Sequence, residues 1–179
     1  MTKRPATDPI ELAFAETDKT DAILVIDGKK LHVNKALLSY HSDYFKTLFH
    51  SDFKEKSMPE IEIKDTKFED FAALLSLITV SPIWPNYENA ERLLELSDRF
   101  LLPSVRCVLE IYLSSSSMNK LEKMRIGDKF KLEKLLKDSL SQYRQNSDFR
   151  GIRNTSEFKG LSDSTKLMLF DRLMTNHNI

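Results

Sequence analysis

The chain has 179 residues, with 27 Lys plus Arg against 27 Asp plus Glu, so its formal net charge is +0. Such balance supplies no long-range field to hold a phosphate backbone, which argues against non-specific nucleic-acid binding. The composition, 41% hydrophobic and 30% charged, is that of a soluble globular chain long enough to bury a core without staples. The single cysteine, Cys107, excludes an internal disulfide and a Cys-rich metal site, and suits a reducing compartment such as cytosol or nucleus.

Residues 1–20 mix Thr, Pro, Asp and Lys and read as an arm, with Ile10, Leu12 and Phe14 able to pack. They contain no apolar core of signal-peptide length, and no later stretch is apolar enough for a membrane span. The expectation is a protein neither secreted nor embedded in a membrane, and cytoplasmic or nuclear. Ala22 to Asp27 predicts a strand, Gly28 a turn, and Leu31-His32-Val33 a second strand. Asn34 suits the N-cap of a short helix through Tyr40, and Ser42 that of a second helix through Phe49. In the second helix Phe45, Leu48 and Phe49 share one face.

Glu60-Ile61-Glu62-Ile63 alternates as a half-buried strand does. Thr66 to Glu69 has the spacing of a capping box. It opens a predicted helix with Phe68, Phe71, Ala72, Leu75 and Ile78 on its stripe. Ser81-Pro82-Ile83-Trp84-Pro85-Asn86 breaks that helix. A further helix is expected from Glu88 to Phe100, with Leu93, Leu94 and Leu96 inward. Another starts at Pro103 and runs to Leu113. Cys107 lies in that apolar run and is expected to pack there. Ser114 to Ser117 reads as a turn.

Residues 93–113 and 123–143 echo each other at an offset of 30 residues. They share Asp98/Asp128, Arg99/Lys129, Phe100/Phe130 and Leu102/Leu132. Each copy reads as helix, tight bend, helix, and units of this kind bury their apolar faces by stacking on a neighbour. Residues 145–160 read as a loop or short helical turns. Asp163 to Met174 predicts a last helix with Leu167, Phe170 and Met174 as its stripe and Leu169 and Leu173 beside it.

Little in the chain gathers into enzyme chemistry. His32, His41 and His50 are nine apart, which is not a ligand spacing on one helix, and no cysteine partners them. The four glycines are scattered, Ser114 to Ser117 lacks nucleophile-elbow glycines, and the carboxylates sit on amphipathic faces. No cofactor or metal is expected.

The order of these elements resembles a BTB/POZ domain. The resemblance rests on Asp21-Ala-Ile-Leu-Val-Ile, His32-Val33-x-Lys35-Ala36-x-Leu38, Ser42-x-x-Phe45, Leu48-Phe49, the Glu-Ile-Glu-Ile strand and the helix Leu94 to Phe100. It covers about residues 18–114 and looks especially like the nematode BTB proteins that carry a MATH domain. The implied fold class is α+β: a small mixed sheet with a cluster of helices, followed by an all-α extension. The expected divisions are an arm at 1–17, the BTB domain at 18–114, and a three-box or BACK-like extension at 115–179. The chain departs from the pattern where many members have Ile-Tyr-Pro, here Thr79-Val80-Ser81 after Ile78. No MATH domain, kelch repeat or zinc finger is recognised in these residues.

What the resemblance implies is a protein-interaction module rather than an enzyme: a homodimer serving as adaptor for a cullin-RING ubiquitin ligase. Phe53-Lys54-Glu55 stands where cullin-binding members carry an apolar-x-Glu triplet, which marks Phe53 and Glu55 as candidate cullin contacts. Leu12, Phe14, Ala36, Leu37 and Tyr40 are candidate dimer-interface residues. Asp21 and Lys35 stand where some members hold an Asp–Arg pair, and are expected to support the fold. The other implied roles are a module that pairs with or titrates other BTB proteins, or a transcriptional co-regulator.

Overall fold

The computed structural model describes residues 8–50 and 60–176. The chain divides into two compact units, residues 1–108 and 109–179.

The first unit opens with a short helix, α1 (Pro9–Ala13), where the sequence suggests only an arm. Asp8 caps it by accepting from the Ile10 N–H at 2.9 Å, and Pro9 sits at the first helical position, where its missing N–H costs nothing. Strands β1 (Ala22–Ile26) and β2 (Lys29–Val33) pair antiparallel, with Ile26 opposite Lys29. The two residues between them, Asp27 and Gly28, both have positive φ, 49° and 74°. That is the two-residue hairpin turn whose twist matches the strands, and glycine adopts it without strain.

Helices α2 (Lys35–His41) and α3 (Asp43–His50) follow with the expected caps. The Asn34 side chain accepts from the Leu37 N–H at 2.8 Å, and Ser42 Oγ accepts from the Phe45 N–H at 3.1 Å. Strand β3 (Glu60–Glu62) returns parallel to β1, so the sheet order is β2-β1-β3. Helix α4 (Phe68–Ser76) is buried nearly all round rather than along one stripe. Its expected capping box does not form. Lys67 is the N-cap residue and Thr66 Oγ1 has no hydrogen-bond partner. The Phe68 N–H donates instead to the Asp27 carboxylate at 3.3 Å, and Glu69 pairs with Lys29 at 2.8 Å. The hairpin turn thus supplies the cap that the local sequence was expected to supply.

Helix α5 (Ala90–Arg99) buries Leu93, Leu94 and Ser97, and α6 (Pro103–Ser115) runs two residues past the expected Leu113. The core of the unit centres on aromatic rings. Phe45 stacks on Phe100 with centroids 5.9 Å apart, and Phe71 meets Phe100 edge-on at 5.0 Å. All three are fully buried, and such offset and edge contacts add to the gain from burial itself. Cys107 is exposed, contrary to expectation. Val105 and Leu109 share the buried face of α6, and Cys107 lies about 200° round the helix from Val105.

The second unit contains α7 (Lys120–Lys129), α8 (Glu133–Ser141), two 3₁₀ turns at Asn146–Phe149 and Ile152–Asn154, α9 (Ser156–Lys159) and α10 (Asp163–Asn176). The Ser-rich turn falls later than expected, since Ser114 and Ser115 are still helical. Leu121, Met124, Tyr143, Leu161 and Leu169 form its core.

The internal echo is a repeated helix-ending device. After α5, Leu101 takes φ 49°, its N–H reaches the Asp98 carbonyl at 3.3 Å, and the Leu102 N–H reaches the Ser97 carbonyl at 2.8 Å. After α7, Lys131 takes φ 55°, with matching bonds to Asp128 at 3.4 Å and from Leu132 to Gly127 at 2.8 Å. Both are Schellman endings, each with a non-glycine residue in the left-handed position.

Candidate interaction surfaces

The faces that could meet a partner begin at the N-terminus of α2. Asn34 uses both ends of its amide: the oxygen caps α2, and the nitrogen donates to the Lys19 carbonyl at 2.6 Å. Asp21 accepts from the Lys35 backbone N–H at 2.7 Å. The expected Asp21–Lys35 pair therefore acts through the backbone, with a carboxylate at a helix N-terminus where free N–H groups need acceptors. The Lys35 ammonium lies 5.8 Å from the centre of the Phe49 ring.

With its start fixed in this way, α2 buries only Leu38. Ala36, Leu37 and Tyr40 are exposed, Tyr40 to 84%. Tyr40 meets the His41 ring edge-on at 5.1 Å, and His41 Nδ1 lies 3.0 Å from Ser104 Oγ. On α1, Leu12 is 66% exposed, whereas Phe14 is buried and its carbonyl accepts from the His32 N–H at 3.3 Å. Of the five candidate interface residues, four lie at the surface and Phe14 serves the fold of its own chain. Phe53 and Glu55 lie outside the described residues.

The departure at Thr79 has a structural counterpart. Thr79 Oγ1 donates to the Ser76 carbonyl at 2.8 Å, and Ser76 Oγ accepts from the Ile83 N–H at 2.9 Å. These bonds pin the chain leaving α4, and the loop beyond them exposes Val80, Trp84 and Tyr87. Sequence reading did not single this patch out as a surface, although Trp84 between prolines was its signal.

In the second unit, two polar clusters hold the turns and α10. Asp128 accepts from the Ser162 N–H at 2.6 Å, from the Ser162 hydroxyl at 2.7 Å and from the Thr165 hydroxyl at 2.9 Å. Burial alone would raise its pKa, but these donors and Lys131 together hold it below the usual carboxylate range. Asp148 is held down to about 2, first by its 2.6 Å bond from Lys120 and then by the Gln145 and Arg144 backbone N–H groups. Burial, with the Asp148 charge, pushes the Tyr143 phenol up to about 12. Lys120 lies 4.4 Å from the centre of the Tyr143 ring. The buried Lys123 ammonium donates to the Ser114 and Ser116 carbonyls at 3.0 and 2.7 Å and so caps the C-terminus of α6. Each of these groups is accounted for by a structural role.

Among the described residues, no three His, Cys, Asp or Glu side chains come together as a metal-binding group, and no helix is long and apolar enough to cross a membrane. The zero net charge conceals an asymmetry: residues 1–108 hold 14 basic against 18 acidic residues, and residues 109–179 hold 13 against 9. The absence of a field inferred from the whole-chain balance does not hold for each unit.

The α+β core, with its three-stranded sheet and helices, matches a known family model over residues 11–117, that of the BTB/POZ domain. The chain belongs to the BTB/POZ family. It is 33% identical over 156 residues to BTB and MATH domain-containing protein 36 of Caenorhabditis elegans, covering 87% of this chain and 49% of that protein. It is 36% identical to BTB/POZ domain-containing protein Y57A10B.3 of the same organism, covering 86% and 49%. Human Kelch-like protein 6 is 29% identical, over 87% of this chain and 25% of its own length. The chain thus spans about half the length of the nematode relatives. A BTB domain is a protein-interaction module, so its functional site is a surface.

Proposed function

We propose that this BTB protein works as a homodimeric adaptor that brings a cullin-RING ubiquitin ligase to a client, in the cytoplasm or nucleus. The observation that supports the reading is the BTB match over residues 11–117; the cullin contact itself rests on the sequence resemblance of Phe53-Lys54-Glu55 to the apolar-x-Glu triplet of cullin-binding members. An aromatic anchor would fill a groove on the cullin, and the Glu55 carboxylate would set the register. The exposed Ala36, Leu37 and Tyr40 on α2, with Leu12 on α1, support pairing of two copies, since a two-fold interface needs one self-complementary apolar face on each. The expected partners are therefore a second copy, the cullin scaffold and, through the same helix, other BTB proteins.

The test is calorimetric titration of the purified chain with a cullin N-terminal domain. Micromolar or tighter binding is expected. Phe53→Ala and Glu55→Lys should each weaken it at least about tenfold while sizing chromatography still reports a dimer. Absence of binding by the unmodified chain would rule out the ligase role.

A further inference from the structure

The last helix turns its apolar residues the wrong way for a helix that serves only the core. The expected stripe of Leu167, Phe170 and Met174 is not the inward one. Thr165 and Leu169 are buried, Leu167 is exposed, and Phe170 is 55% exposed. The inversion has a local cause: Asp128 accepts from the Thr165 and Ser162 hydroxyls, so a polar face of α10 can be buried at no loss of hydrogen bonds. Phe170 is thereby released to the surface, where it and Leu173 line a groove with Phe149 and Phe158.

The groove has a volume of about 280 Å³ and lies wholly within the second unit. It is smaller than a typical cofactor site and suits the insertion of one or two apolar side chains. Arg153 and Lys166 also line it, and no acidic residue does. Arg153 is exposed, and the only ion pair described for Lys166 is a 3.6 Å contact to Asp163, which is almost fully in solvent, so water screens it strongly. The unit around the groove holds 13 basic against 9 acidic residues.

The geometry points to a peptide-docking site: the groove takes an acidic amphipathic segment of a partner protein, its Phe or Leu inserted beside Phe170 and its carboxylates on Arg153 and Lys166. A second copy of this chain is disfavoured, because a two-fold contact here would bring Arg153 and Lys166 towards their own equivalents. The site would supply a client contact within the helical extension. It goes beyond the ligase reading and does not depend on it, because peptide binding is measured with no cullin present.

The experiment uses fluorescence anisotropy on the full chain. The probe is a labelled peptide of about 12 residues with Phe and Leu set among Asp and Glu. One twin carries Lys for each acid and another carries Ser for each apolar anchor. Saturable binding of the acidic amphipathic probe alone is expected, weakening as salt rises. Arg153→Glu and Phe170→Ala should each reduce affinity at least about tenfold, while Leu167→Ser, an exposed site on α10 outside the groove, should leave it unchanged. Circular dichroism melts establish that each variant is folded. Equal binding of the Lys twin, or indifference to both groove variants, overturns the proposal. So does failure of the peptide combined with loss, in Phe170→Ala, of either self-association in sizing chromatography or binding to phosphatidylserine vesicles; those results would give the groove to a second copy or to a membrane surface.

Discussion

Asp70 is buried in α4 and held by a bidentate bond from Arg92, at 2.8 and 3.1 Å, that ties α4 to α5. Truncating Arg92 would leave a desolvated carboxylate without its fork of donors, which is costly even though Arg92 itself is half exposed. Arg92→Ala should lower the unfolding free energy by about 2 kcal/mol, read as a fall in the urea midpoint at unchanged slope. Asp148 contributes to the acid response of the second unit. Its folded pKa of about 2 lies below the value of an unfolded aspartate, so its contribution is present above the unfolded pKa and is lost as pH falls towards 2. Asp148→Asn should flatten the acid limb of a stability-against-pH curve between about pH 4 and pH 2. Tyr143 acts at the other end. Its pKa, raised to about 12, keeps stability that fades as pH climbs from the unfolded tyrosine value towards 12. None of these partnerships was legible in the sequence, because Asp70–Arg92 and Lys120–Asp148 join residues 22 and 28 positions apart and neither spacing has a local signature.

At the scale of elements, local chemistry was legible and its long-range replacement was not. The Asp27-Gly28 hairpin and the Asn34 and Ser42 caps form as their sequences predict, because each depends on residues within a few positions, and the strand expected at Glu60 forms over Glu60–Glu62, its alternation legible although its partner β1 is distant in sequence. The capping box at Thr66 gives way to a helix that starts one residue later, with Lys67 as its N-cap residue and the Phe68 N–H held by Asp27, 41 residues before Phe68. The stripe of α10 was misread because periodicity cannot foresee that Asp128 will make Thr165 welcome in the core. The echo between residues 93–113 and 123–143 was visible as shared letters, and the structure gives it a meaning as two Schellman endings. Leu101 and Lys131 hold left-handed backbone there at a cost of about 1 kcal/mol each. Lys131→Gly should raise stability by less than about 0.5 kcal/mol, the relief of strain being offset by a freer unfolded chain and by loss of the contact between the solvent-exposed Lys131 and Asp128, and a thermal melt will show it. The second copy packs more closely than the first. A Cβ on Gly127 would come within 3.0 Å of the Leu136 backbone nitrogen, whereas the matching position in the first copy holds the buried Ser97. Gly127→Ala should therefore destabilise the chain by about 1–3 kcal/mol, because backbone cannot step aside as a side chain can.

For the molecule as a whole, the family was legible from one run, Asp21 to Phe49, because in a BTB domain that run carries a hairpin, two capped helices and an aromatic face in fixed order. The surfaces were less legible. Tyr40 and Leu37 could be named as candidates from the resemblance, but which face of α10 is buried emerges only when residues are placed in space. Pairing through α2 makes a direct prediction: Tyr40→Glu, at a position 84% exposed, should leave the melting temperature almost unchanged and convert a dimer into a monomer in sedimentation velocity. The central claim joins that dimer to the cullin, and light scattering coupled to size-exclusion chromatography tests both at once. For the 20.8 kDa chain mixed with a cullin N-terminal domain, the account predicts a single peak whose mass corresponds to two copies of each. Separate elution of the cullin domain and a 20.8 kDa monomer would contradict it.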